Sequence, residues 1–126
     1  MSTIKADTIV AADGSSPVTL TKQSAAKAWV SFDNTGGTPS VNESFNNSSI
    51  TDTQAGEYGI NFVNSFTNNG YSSTGSASGE INWGGIWANH YAQLTSSQCR
   101  HYTLINDGTA LADFDRNAGN IHGDLA

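Results

Sequence analysis

EYGINFVNSF, residues 57–66, alternates large apolar side chains with small or polar ones, so that Tyr58, Ile60 and Phe62 share one face by period two. That period belongs to a strand buried on one side. The preceding DTQAG, residues 52–56, supplies Asp52 and Gly56 for a turn. Upstream, AWVSF at 28–32 repeats the pattern, with Ala28, Val30 and Phe32 on one face and Trp29 and Ser31 on the other. DNTGGTP at 33–39 breaks the chain after it with two adjacent Gly and a Pro.

Further strands follow on either side. VNESFNNSSITD at 41–52 places Val41, Phe45 and Ile50 in a polar background, which reads as a half-buried strand and a turn. Residues 68–79 are almost entirely Asn, Gly, Ser and Thr around Tyr71 and read as a loop passing into a weak strand. EINWGGIWANHYAQL at 80–94 and the alternating RHYTLIND at 100–107 come next, and GNIHGDLA at 119–126 supplies a final short strand. Turns recur every 8–12 residues or so, the spacing of a β-sandwich or barrel. The expected fold is all-β: a β-sandwich of the lectin-like or fibre-knob-like jelly-roll kind over residues 27–126, preceded by an extended arm or hairpin over residues 1–26. The arm carries two β-branched runs, Ile4 to Val10 and Pro17 to Lys22, around the Asp13-Gly14 turn.

Composition limits what such a domain does. Of 126 residues, 37% are hydrophobic and 13% charged, and both shares are low for a globular domain. The core is therefore thin, and a partner subunit is expected to complete it. The net charge is −6 and the five Lys and Arg are scattered, which argues against nucleic acid as a partner. No apolar run approaches the roughly 20 residues of a membrane span, so membrane insertion is not expected. MSTIKADTIV has neither a basic start nor an apolar h-region, so no signal peptide is expected.

Catalytic patterns are weak. His90, His101 and His122 are far apart and lack ligand spacing, so they read as surface or edge histidines, and no metal or other cofactor is expected. Asp113 and Asp115 would flank Phe114 on one face of a strand, a solvated face more readily than a cation site. No nucleophile elbow or phosphate-cradling glycine loop is present. The chain is therefore read as a non-enzyme. Trp83, Trp87, His90 and Tyr91 stand within nine residues among Gly and Asn. Aromatic faces beside amides are what carbohydrate sites use, which makes these four the glycan-binding candidates, with Trp87 and Tyr91 presented from a loop. The competing reading packs the same rings in the core or at an interface.

STIKADTIVAADGSSPVTLTKQSAAKAWVSFD, residues 2–33, resembles the N-terminal region of tail-fibre-like proteins from marine bacteriophages, particularly those of cyanobacteria. ESFNNSSITDTQAGEYGINFVNSFTNNGY at 43–71 and the closing GNIHGDLA are similar to a β-module of the same proteins. The polar stretch 113–126 departs from that module, whose last segment carries more consecutive apolar residues. The resemblance implies a virion structural protein, homotrimeric, acting as a tail-fibre or receptor-binding component that meets host surface polysaccharide. It implies that the arm residues Ile4, Ile9, Val10, Val18 and Leu20 join the subunits or attach them to other virion proteins. The alternatives are a head-decorating fibre or capsid cement protein with no ligand site, and a free lectin-like binding protein or a hydrolase acting on polysaccharide.

Overall fold

A computed structural model describes residues 26–79, 85–90 and 93–126. The described part is all-β. Its strands are β1 (Ala28–Asp33), β2 (Ser40–Phe45), β3 (Asn47–Gln54), β4 (Glu57–Phe62), β5 (Ser72–Ser78), β6 (Gly85–Asn89), β7 (Gln98–Ile105) and β8 (Arg116–His122). The expected arm, with Ile4, Ile9, Val10, Val18 and Leu20, lies outside the described residues.

All eight strands are hydrogen-bonded antiparallel into one sheet in the order β2-β1-β8-β5-β6-β7-β4-β3. The strands therefore form one curled, nearly closed sheet rather than the two separate sheets of the expected sandwich. Period-two burial and turn spacing are common to both architectures, and only the choice of pairing partner separates them. The curl is imposed by connectivity. β2 is one edge of the sheet and β3 is the other, yet the chain passes between them through Asn46 alone. Asn46 turns this corner at φ 54, a left-handed conformation that Asn tolerates better than most residues. Its side-chain amide donates to the Lys27 and Asn64 carbonyls at 3.1 and 3.0 Å, and its Oδ1 accepts from the Asn64 N–H at 2.6 Å. One side chain thus ties the entry to β1 to the exit from β4 across the seam.

Alternation places the core. Ala28, Val30 and Phe32 of β1 face inward with Tyr58, Ile60 and Phe62 of β4, Cys99, His101 and Thr103 of β7, and Ile121 of β8. Phe62, Phe66 and Tyr71 close one end as an aromatic cluster with centroids 4.8–5.8 Å apart. Leu125 is bridged to Phe66 beside them, which anchors the C-terminal residues. By sequence all three histidines are expected at surfaces or edges. His101 is instead fully buried, because it sits at an inward position of the most interior run of β7.

The segment 113–115 is not a strand, contrary to expectation. Asp113 Oδ1 accepts from the Gly56 N–H and from the Tyr58 hydroxyl, both at 2.7 Å. It braces the β3–β4 turn, while Phe114 is buried.

Candidate functional site

Of the four aromatic candidates, Trp83 and Tyr91 lie outside the described residues. Trp87 is not on a loop. It is the central residue of β6, and its indole is packed inside the sheet, stacked on the His101 imidazole at 3.6 Å with the planes 10° apart. Gly75 of β5 and Gly119 of β8 are direct partners in register and form the floor beneath the indole. A Cβ on Gly119 would stand 2.8 Å from the Trp87 ring, and one on Gly75 would overlap the same ring. Two glycines side by side thus make room for one large ring. Burial holds the His101 pKa down to about 3, from an ordinary 6.5, so the ring is neutral against the indole.

His90 does reach the surface of the sheet, in a charged cluster. It follows β6 and donates its backbone N–H to the Arg100 carbonyl at 3.0 Å. Its Nδ1 is 3.3 Å from Glu57 Oε1, and Arg100 Nη1 is 3.4 Å from the same oxygen. Gln54 Nε2 donates to Glu57 Oε2 at 2.9 Å. The Tyr102 ring stacks over His90 with centroids 4.6 Å apart. Neighbouring amides on this outer wall bond one another: Gln98 Nε2 donates to Asn61 Oδ1 at 2.6 Å, and Asn61 Nδ2 donates to Ser49 Oγ and Thr51 Oγ1 at 3.0 and 2.9 Å. The polar groups of the β3–β4–β7–β6 wall are therefore largely committed to holding four strands in register.

The opposite wall, β5–β8–β1–β2, is built differently. Register aligns Thr74 with Asn120, Asn120 with Trp29, and Trp29 with Phe45. These four side chains form one row across four strands. They point outward, since their sequence neighbours Ala28, Val30 and Ile121 are buried inward. Phe45 is 53% exposed and Trp29 is half-buried beside it. The next row holds Ser76, Ala118, Ser31 and Glu43. Among the described residues, the side chains of Asn120, Thr74, Ser31 and Ser76 make no hydrogen bond. An aromatic pair thus stands among hydroxyls and an amide whose bonding capacity is unspent.

The sequence carried this signal. In AWVSF, Trp29 occupies the face opposite Ala28, Val30 and Phe32, so a large ring was already assigned to the polar side. Phe45 sits alone among Glu, Ser and Asn, which marks it in the same way. What the sequence lacked was the register that sets the two rings opposite each other.

Among the described residues no three His, Cys, Asp or Glu side chains gather as metal ligands do. Desolvation first, and the Asp113 charge second, raise the Asp52 pKa above the usual carboxylate value. Compared with protein-family models, curated proteins and solved structures, the chain matches none.

Proposed function

We propose that this chain is a bacteriophage virion appendage module that binds host surface glycan through the Trp29–Phe45 face of its curled sheet, without catalysing a reaction. The observation that carries the reading is the pair of outward rings set opposite each other in register, beside the unbonded Asn120 amide. Rings of this kind stack on the C–H face of a sugar, and free amides and hydroxyls bond its hydroxyl groups. The resemblance of residues 2–33 and 43–71 to phage tail-fibre-like proteins supports the virion setting. Homotrimeric assembly and attachment through residues 1–26 belong to the same proposal.

The test is binding of purified protein to polysaccharide extracted from the host surface. Trp29→Ala and Phe45→Ala are each expected to weaken binding by about tenfold, the loss of one stacking contact, with the circular dichroism spectrum unchanged. Full binding by both variants would remove the face from consideration. A second reading has one observation in its favour. Phe45 and Val63, 53% and 64% exposed, flank the Asn46 corner, as surface does where a neighbouring subunit covers it. That reading is a head-decorating or cement protein with no sugar site. Gold-labelled antibody on intact virions separates the two, with label on fibres for the first and on the head for the second.

A further inference from the structure

The aromatic pair has a direction. Trp29 and Phe45 lie on adjacent strands and face each other in register, so the line joining their rings runs across the strands. Along β1 the next outward positions are Ser31 and Asp33, which offer no ring. Continuing across the strands from Trp29, the next outward residue is Asn120 of β8, with its amide unbonded among the described residues. Neighbouring strands are about 4.8 Å apart, a spacing close to the repeat of an extended, equatorially linked pyranose chain. Two rings and an amide are therefore placed at successive sugar positions.

The row is also open at its edge and uncharged. Beyond Phe45 it runs off the free side of β2, all six of whose residues are exposed. A site that recognises a chain end needs an enclosing wall, and none stands there among the described residues. Thr74, Asn120, Trp29 and Phe45 carry no charge, and the flanking charges balance, with Glu43 in the row of Ser31 on one side and Lys27, two residues before Trp29, on the other. The molecule is net −6, which disfavours an anionic polymer. On the convex outside of a curled sheet each further strand falls away from a straight chain, so contact over β2, β1 and β8 is expected to be lost towards Thr74 of β5, the fourth strand in the row.

We infer that the ligand of this face is the interior of a neutral, extended oligosaccharide lying across β2, β1 and β8, with three successive sugars meeting Phe45, Trp29 and Asn120. This rests on the glycan reading of the face and adds direction, length and charge to it. The probe is host surface polysaccharide, partially hydrolysed with acid, sized into fragments of one to six units and split by anion exchange into neutral and acidic pools. Calorimetric affinity for neutral fragments is expected to rise up to about tenfold for each ring engaged, to level off at three units, and to survive borohydride reduction of the reducing end. Phe45→Ala, altering an exposed side chain, is expected to move the plateau from three units to two.

Equal affinity for one unit and three, loss of binding on end reduction, or binding confined to the acidic pool would overturn this inference and leave the glycan reading standing. Failure of the intact polysaccharide to bind would overturn both.

Discussion

His101 shows what one buried side chain does to the whole stability profile. Its ring is neutral, with neither nitrogen hydrogen-bonded among the described residues, and burial depresses its pKa to about 3. Between that value and 6.5 the unfolded chain takes up a proton that the fold refuses. The fold is therefore unpenalised above about pH 6.5 and loses about 1.4 kcal/mol per pH unit as pH falls below it. Urea unfolding at pH 7.5 and 4.5 is expected to show the native protein losing about 2–3 kcal/mol more than His101→Phe over that interval. An identical loss in the variant would assign acid sensitivity to the carboxylates instead. Near neutral pH the replacement is expected to be close to neutral, because it removes unpaired polar atoms while keeping a ring against Trp87. A further residue-scale test concerns the floor beneath that ring. Gly119→Ala brings a methyl to 2.8 Å from an indole already held by His101 on its other face. The expected cost is about 1–3 kcal/mol, read from the urea midpoint by indole fluorescence.

At the scale of elements, the strands divide by how their two sides are used. β1, β4, β7 and β8 alternate or bury nearly throughout, and their inward residues make the core. β2 is exposed at all six positions and β3 at most of its eight, and each has one partner among the described strands. Amide exchange is expected to follow this division: β8 and β7 at the global unfolding limit, β2 and β3 far faster. Protection of β2 equal to that of β8 would mean that another molecule covers the free edge. The same division explains what was legible beforehand. Strands with one dry face, such as AWVSF and EYGINF, show themselves by parity, and so does RHYTLIND. VNESFNNSSITD has almost no dry face beyond Ile50, so it reads as one half-buried strand where two largely exposed strands meet at a corner. Trp87 reads as a loop residue because it follows Gly84-Gly85, a pair that permits a reversal of the chain. Its place on β6 depends on the Gly75–Gly119 floor, which lies about 12 and 32 residues away in sequence and has no local signature.

The whole molecule combines a small inward set of large side chains with an exterior of Ser, Thr and Asn. Among the described residues, every strand from Ala28 to His122 has its partners within the one sheet. Deleting residues 1–25 is therefore expected to leave the sheet folded, with an unchanged far-UV circular dichroism spectrum and a melting temperature within about 5 °C. Collapse of the truncated chain would show that the first 25 residues are part of the fold. All-β class, strand parity and low charge were available from composition and period. Single-sheet closure and the binding face were not, since both depend on which strand lies beside which. The two outer walls differ for the same reason. Gln98, Asn61, Ser49 and Thr51 bond one another because register sets them together, while Asn120 and Thr74 find no such neighbours.

The corner at Asn46 has a consequence for how such a chain can vary. Its two outermost strands are consecutive in sequence and separated by one residue, whose side chain also bridges Lys27 and Asn64. Lengthening the chain there would let the ring of strands spring apart. Lengthening it at Gly36-Gly37, where both residues stand in open space, would only enlarge a loop. Related sequences that keep this architecture should therefore carry their insertions in the β1–β2 turn and hold the junction of β2 and β3 at constant length.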